Sequence, residues 1–479
     1  MITVQNYING KLVNSLNNQW IEGFNPASEN INSQIPNSSF EDIDLAINAA
    51  KENFPNWSKL SIKKRGKYLL TIANLIKENA EELAQLETND TGKPIQLSRS
   101  VDIPRSATNL EFFANHALTF NDFELKMEKA NNIITRNSLG VVGCISPWNL
   151  PLYLFTWKIA PALITGNTVI AKPSEITPLT AHFFSKLCIE AKLPPGVLNI
   201  VHGLGNYAGS SLINHDEIKA ISFTGSTATG KIIAQAVAPK FKKLSLEMGG
   251  KNPFIIFADS DHNKASKTAV KAAFTNQGQI CLCGSRIFIE KNIYQEMKEK
   301  IIKETNALVC GNPTDDKTNI GAIVSKEHFN KIMNHIEIAK TEGGIILTGG
   351  ESYKIADKGY FIKPTLIENL DPYCQTNQEE IFGPVATLTP FDSEKEVISW
   401  ANSTDYGLAG SIFTNDLSKA KRVASQIESG IIWINTWLLR DLRTPFGGMK
   451  NSGVGREGGD WGLNFFTETK NICIKKEDT

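Results

Sequence analysis

The chain carries no net charge: 50 Lys and Arg balance 50 Asp and Glu across 479 residues, and the sequence pI is about 7.0. This removes the electrostatic footprint of a protein whose main partner is nucleic acid or an anionic membrane. Cysteine is scarce and scattered, at positions 144, 188, 281, 283, 310, 374 and 473, which makes no disulfide framework and fits a reducing, cytoplasmic setting. A long apolar run is also missing. The most apolar segment, PLYLFTWKIAPALITG, is broken by Lys158 and prolines, and the start, MITVQNYINGKLVN, has no basic cluster followed by an apolar stretch. Neither a membrane span nor a signal peptide is read. Low-complexity tracts, repeats and Pro-rich or Ser-rich linkers are absent too, so domain boundaries have to come from pattern.

The chain is too long for one ordinary core, and two or three domains are expected. Asn9-Gly10 in YINGK reads as a two-residue hairpin. From Asp42 to about Thr91 the apolar spacing is helical. From Leu139 short apolar runs (GVVGCI, NTVIAK, VLNIVHG, AISFTG, KKLSLEMGG) alternate with helical stretches, among them Leu152 to Leu163 and Ala228 to Val237. Such alternation means βαβ units and a parallel sheet that binds nucleotides at its carboxyl ends. After Gly249 the alternation resumes through NPFIIFAD, GGIILTGG and SGIIWINT, a second α/β domain. Two lone stretches, NNIITRNS and FFTETKNICIKK, alternate like exposed strands and are expected to pair with each other and to meet another subunit.

FTGSTATGK, Phe223 to Lys231, nearly matches the phosphate-cradling loop, but Ile232 stands where the magnesium-binding hydroxyl belongs. What remains is a strand, a glycine turn and a helix start that suits an anion or is simply a capped helix. HGLGNYAG also misses the dinucleotide fingerprint. KPSE, Lys172 to Glu175, follows a strand: its acid suits ribose hydroxyls and repels a 2′-phosphate, and Ser174 alternatively serves as a helix cap. In NQGQICLCGSR, Cys281 and Cys283 lack the ligand count for zinc and the spacing of a redox pair. No metal is expected, and core packing or nucleophilic catalysis remains for the thiols. Asn149 in SPWNLP, Glu247 in LEMGG and Glu380 in EEIFGP are the company a thiol nucleophile needs.

Together these segments, from YING and FNPA through SPWNLP, KPSE, FTGS, LEMGGKNP, NQGQIC, EEIFGP and PFGGMKNSGVGRE, resemble the aldehyde dehydrogenase superfamily over nearly the whole chain. The resemblance implies an α/β fold with a Rossmann-like NAD domain at 1–119 and 139–249. It also implies an α/β catalytic domain at 250–449 and a small β oligomerisation domain from 120–138 and 460–479, in a homodimer or homotetramer. It implies Cys281 as nucleophile, Asn149 and the Cys281 N–H as oxyanion donors, and Glu247 as general base for thioester hydrolysis rather than transfer to coenzyme A. Implied NAD contacts are Ser146, Pro147 and Trp148, Lys172, Ser174 and Glu175 at the adenosine ribose, Gly205, Gly225, Ser226 and Gly230 near the pyrophosphate, and Glu380 and Phe382 at the nicotinamide. Cys283 is expected to be a pocket neighbour.

Charged residues at the funnel point to the substrate. Arg440 and Arg443 in LLRDLRTPFGG and Arg105 in DIPR suit a carboxylate; alternatively Arg440 pairs with Asp441 or Asp102 and all three belong to surface or interface salt bridges. With ICLCGSR, these segments resemble the muconic semialdehyde branch, which implies a small acidic aldehyde of the 2-aminomuconate or 2-hydroxymuconate semialdehyde type, as in aromatic and tryptophan degradation. Arg105 and Arg443 are the first candidates and Arg440 the third. The alternatives are a broad or betaine-type aldehyde dehydrogenase, with Trp148, Trp437, Phe465 and Phe466 as a cation cage, and a catalytically silent protein on the same fold.

Overall fold

Two largely parallel sheets meet, the carboxyl end of Lys243–Glu247 in the first lying next to the amino ends of Pro253–Ile256, Arg286–Glu290 and Ala409–Phe413 in the second. The computed structural model describes residues 1–476. Among these, the first sheet has eight strands in the order Gly453–Val454, Lys243–Glu247, Ile218–Thr224, Val141–Ile145, Thr168–Lys172, Leu198–Ile200, Asn6–Ile8 and Lys11–Val13. Its central pairs are parallel, and its outermost strands pair antiparallel at either edge. Asn9 (φ 50°) and Gly10 (φ 79°) form the tight turn of the expected hairpin, which closes one edge. The second sheet has seven strands, with Arg286–Glu290 in the middle, buried except for Glu290, and the fully buried Pro253–Ile256 and Ala409–Phe413 following it on one side.

Helices cover the first sheet because the sequence gives them one or more apolar faces. Pro151–Ile164 is apolar all round and buried at each of its 14 residues, lying between the sheet and the helix Ile103–His116. The expected helical region resolves into Phe40–Ser58, Ile62–Glu78 and Ala80–Thr91. A π-helical turn, Ser98–Asp102, precedes Ile103–His116 and turns Asp102 into the interior.

The two lone stretches do pair: Ala130–Ser138 runs antiparallel to Thr467–Lys475 in continuous register from Thr467↔Ser138 to Lys475↔Ala130, with Phe123–Lys126 on the other side of the ribbon. Phe123, Leu125, Ile472 and Ile474 stay exposed on it. Two expected boundaries shift. Residues 460–465 belong to a helix, Gly459–Phe465, rather than to the ribbon, and residues 477–479 lie outside the described residues. Gly453–Val454, in the stretch between the expected catalytic domain and the ribbon, returns to pair with Lys243–Glu247 in the first sheet.

The deepest charges of the fold lie where the first sheet meets the helices. Lys93, Glu87 and Asp102 have fully buried side chains; the Lys93 ammonium donates to Glu87 Oε1 at 3.2 Å, to Asp102 Oδ2, and to the carbonyl of Asn149 at 2.9 Å. Burial, with Asp102 beside it and Lys93 opposing, pushes Glu87 up to about 7. Lys93→Met would leave two facing carboxyls without a counter-charge, at a cost of about 3–5 kcal/mol. Its urea midpoint is expected to drop, and to drop less at pH 5 than at pH 8, because both acids can take a proton at low pH; an unchanged midpoint would contradict this.

Candidate active site

The strand Lys243–Glu247 ends with Glu247 in register with Thr224 and Gly453. Its carboxyl is buried, and neither oxygen has a hydrogen-bond partner among the described residues. Gly447 of PFGG (φ 154°) lies against it: a Cβ there would sit 2.7 Å from Glu247 Oε1. Burial and then the charge of Glu457 push Glu247 well above the usual carboxylate range, against the pull of Lys158, Arg456 and Arg440. Glu457 is itself fixed, accepting from Lys158 Nζ at 2.8 Å and Trp157 Nε1 at 2.7 Å.

Cys281 follows the helix His262–Phe274 through three consecutive left-handed residues, Asn276 (φ 54°), Gln277 (φ 55°) and Gly278 (φ 70°). Two of them are not glycine, the kind of backbone strain that surrounding contacts must sustain. A Cβ at Gly278 would meet the Gly383 carbonyl at 2.0 Å, so that close approach requires glycine. Asn252 holds the loop by donating to the carbonyls of Cys281 (2.7 Å) and Cys283 (2.9 Å) while accepting from the Ala409 N–H. Trp437 Nε1 donates to the Leu282 carbonyl at 2.9 Å.

Asn149 Nδ2 donates to the carbonyl of Gln279, two residues before Cys281, at 2.9 Å, and Asn276 Nδ2 donates to the Asn149 carbonyl. The Cys281 N–H has no acceptor among the described residues. Cys281 is half-buried; burial pushes its thiol well above the ordinary range, with Glu380, Glu247 and Cys283 adding to the rise and Arg440 opposing it. Cys283 is buried in the core of the second sheet. Asn149 thus lies against the loop that carries Cys281, and Glu247 is near enough to act on its thiol.

A cavity of about 620 Å³ opens at the carboxyl ends of the first sheet, lined among others by Ser146, Pro147, Trp148, Lys172, Ser174, Glu175, Gly205, Gly225 and Ser226. Lys172 Nζ donates to Glu175 Oε2 at 3.0 Å on its wall. Ser226 caps the helix Thr227–Val237 by accepting from the Thr229 N–H, so the free N–H groups of that helix start face the cavity region. Gly230 does not line it: a Cβ there would lie 2.2 Å from Met248 Sδ, so this glycine permits the helix to pack on Met248. Glu380 and Phe382 stand apart from this cavity. Glu380 Oε1 accepts from the Gly250 N–H at 2.9 Å, a Cβ on Gly249 would collide with Glu380 Oε2 at 2.0 Å, and burial pushes Glu380 up to about 7. Phe382 (φ 61°) packs edge-on to Trp148 at 5.3 Å and its carbonyl accepts from His328 Nε2 at 2.7 Å. The donors, the glycine turn and Glu175 on the wall of this cavity are chemically suited to an adenine dinucleotide.

The three arginines all line one open groove of about 1050 Å³, but in different states. Arg443 forms a bidentate pair with Asp441 and its side chain is 73 % exposed. Arg105 lies over the Tyr153 ring at 5.6 Å. Arg440 is held between Phe446 (3.9 Å) and Trp157 (4.6 Å), donates from Nη1 to the Tyr153 hydroxyl at 3.1 Å, and keeps a buried Nη2 with no partner. Of the three, Arg440 keeps a buried donor without a partner, and the expected salt bridge of Arg440 is corrected: Asp441 takes Arg443 and Asp102 takes Lys93. The aromatic cage does not form. Trp437 and Phe466 sit in different cores, Phe465 packs edge-on to Phe466, and Trp148 packs edge-on to Phe382.

Asn252, Glu457 and Lys93 carry no signal of their own in the sequence. The first two lie inside the motifs LEMGGKNP and GVGRE, where their positions beside named residues are the only hint; Lys93 has none, because its partners are set by the fold.

The sequence pattern of the Aldehyde dehydrogenase family matches residues 13–472. The chain is 47 % identical to a 2-aminomuconic semialdehyde dehydrogenase of Danio rerio, covering 99 % of this chain and 98 % of the relative. It is 40 % identical to a 2-hydroxymuconic semialdehyde dehydrogenase of a Pseudomonas species, covering 99 % and 100 %. Among solved structures, an NAD+ complex of an aldehyde dehydrogenase from Bacillus cereus superposes with a TM-score of 0.97 at 37 % identity, covering 99 % of this chain and 97 % of that one. No helix among the described residues is long and apolar enough to cross a membrane. A thiol, a carboxamide and a partnerless carboxyl gathered beside a dinucleotide-sized cavity agree with these likenesses, and the chain belongs to the aldehyde dehydrogenase family, whose members are oxidoreductases acting on aldehydes.

Proposed function

We propose that this enzyme oxidises a carboxylate-bearing semialdehyde, of the 2-aminomuconate or 2-hydroxymuconate semialdehyde type, to the dicarboxylic acid with NAD. The observation that carries the acidic substrate is Arg440. Its guanidinium is fixed by two rings and a phenol, its buried Nη2 has no protein acceptor, and its charge reaches both Glu247 and Cys281. A buried donor without a partner costs about 1–3 kcal/mol, more when charged, and a substrate carboxylate relieves that cost. The names of the relatives point the same way.

Cys281 Sγ attacks the carbonyl carbon, and its proton goes to Glu247, whose two buried oxygens are unpartnered. The oxyanion of the resulting hemithioacetal takes the Cys281 N–H and the second hydrogen of Asn149 Nδ2, the first being committed to Gln279; one such donor is typically worth about 2.7–4 kcal/mol. When bound, the dinucleotide supplies the acceptor for the hydride that leaves this carbon. Glu247 passes that first proton to solvent, then draws a proton from water attacking the Cys281 thioester and returns it to the departing sulfur, releasing the acid and restoring the thiol. Lys172, Ser174 and Glu175 hold the adenosine ribose, Ser146, Pro147, Trp148, Gly205, Gly225 and Ser226 line the path, and Glu380 with Phe382 orients the nicotinamide end. Glu175 favours NAD over NADP by repelling a 2′-phosphate. The exposed ribbon of Ala130–Ser138 and Thr467–Lys475 suits pairing with another copy, in a homodimer or homotetramer, and seven free thiols suit the cytoplasm.

Arg440→Ala should lower kcat/KM for 2-hydroxymuconate semialdehyde relative to hexanal by about 2–5 kcal/mol. Arg443→Ala, whose guanidinium is exposed and paired, should change that ratio by under about 1 kcal/mol. An equal fall for both aldehydes in Arg440→Ala overturns the acidic substrate. In the free protein, the raised Cys281 thiol makes its alkylation by iodoacetamide climb about tenfold per pH unit from pH 7 to 9, the slope of a thiol far below its pKa. Peptide mass spectrometry follows the modification, and a plateau below pH 8 would contradict the buried thiol.

A further inference from the structure

Tyr153 stands between two of the three arginines and carries no role in the reaction as derived so far. It lies in the first turn of the helix Pro151–Ile164, four residues beyond Asn149. Its backbone is held by Asn109 Nδ2, which donates to the Tyr153 carbonyl at 2.9 Å. Its ring faces the Arg105 guanidinium at 5.6 Å, and its hydroxyl oxygen accepts from Arg440 Nη1 at 3.1 Å. With Leu150 and Leu154 it forms a small apolar group of its own, apart from the main cores, as the wall of a channel does rather than the interior of a domain.

Its hydroxyl is half-used. The oxygen accepts from Arg440, while the hydrogen goes to no acceptor among the described residues. A phenol accepting from a guanidinium is polarised into a stronger donor, because hydrogen bonds in a chain reinforce one another. Arg440 is in the complementary condition: Nη1 is satisfied by Tyr153 and Nη2 is buried with no partner. One hydrogen bond thus joins two groups that each retain an unused donor. Two donors on neighbouring groups match the two oxygens of one carboxylate.

We propose that the Tyr153 hydroxyl is itself a substrate-binding group, donating to one oxygen of the substrate carboxylate while Arg440 Nη2 donates to the other. Selection of an acidic aldehyde then depends on a neutral phenol as well as on a cation. Arg105, over the Tyr153 ring, adds charge at the outer side of the same pair. The proposal rests on the reading of the substrate as an acidic semialdehyde.

The test uses 6-oxohexanoate and hexanal, which differ in the carboxylate, and reads the ratio of their kcat/KM values in the full-length enzyme with NAD. Tyr153→Phe should lower that ratio about tenfold, mainly through KM, as expected for a hydrogen bond to a charged group. A tyrosine that only positioned Arg440 would matter no longer once Arg440 is gone. Tyr153→Phe is therefore also introduced into Arg440→Ala, where a further fall of about threefold or more is expected from a direct contact. No fall in the single variant, or no further fall in the double variant, overturns the proposal. If Arg440→Ala itself leaves the ratio unchanged, the acidic substrate falls, and this proposal with it; a ratio that responds to Arg440 and not to Tyr153 removes only the role of the phenol.

Discussion

Five residues, Met248 to Asn252, carry the chain from the first sheet to the second, and the site depends on how little room they take. Glu247 ends one sheet immediately before them and Pro253–Ile256 begins the other immediately after. In between, Gly249 lies so close to Glu380 that a Cβ would collide with its carboxylate, and the Gly250 N–H binds the other oxygen of the same group. Asn252 then reaches across to hold the Cys281 loop by two carbonyls. The crossing thereby fixes Glu247, Glu380 and Cys281 relative to one another, through backbone and one carboxamide, before any ligand arrives. Such prior placement is what lets hydrogen-bond donors and a base act without rearrangement when charge develops.

The same crossing explains the electrostatics. Acids and a thiol gathered where two sheets meet are short of water, and burial is the leading cause of the rise in Glu247, Glu380 and Cys281 alike. The cations that answer them lie in a partial ring: Lys158 on Glu457, and Arg440 facing Glu247 and Cys281. Lys93 serves the oxyanion side in another way, gripping the Asn149 carbonyl from a fully buried position. Burial thus disfavours the charged form of each reactive group, and the nearby cations oppose that effect in part.

Much of this was legible in the sequence, because parallel sheets bring functional residues to strand ends, and strand ends can be read from apolar runs. Asn149, Glu247 and Cys281 each follow such a run or its helix, and the structure brings them together. The pairing of the two lone strands was legible for the related reason that an alternating, exposed strand needs a partner. What could not be read was side-chain pairing across turns and between distant segments. Arg443 and Asp441 meet because a local turn points both outwards, while Arg440, the residue before Asp441, turns inwards on to Trp157, nearly three hundred residues earlier in the chain. Gly230 looked like part of an anion loop and instead makes space for Met248. The return of Gly453–Val454 to the first sheet was hidden because a two-residue strand has no periodicity.

At the centre of the account is covalent catalysis at Cys281 with Glu247 as the base that clears the thioester. The most direct measurement is mass spectrometry of Glu247→Gln mixed with NAD and 2-hydroxymuconate semialdehyde, with NADH followed in parallel. The account predicts one equivalent of NADH per subunit and an acyl adduct located on the Cys281 peptide, persisting because water is no longer activated. Continuous NADH formation with an unmodified Cys281 would contradict it.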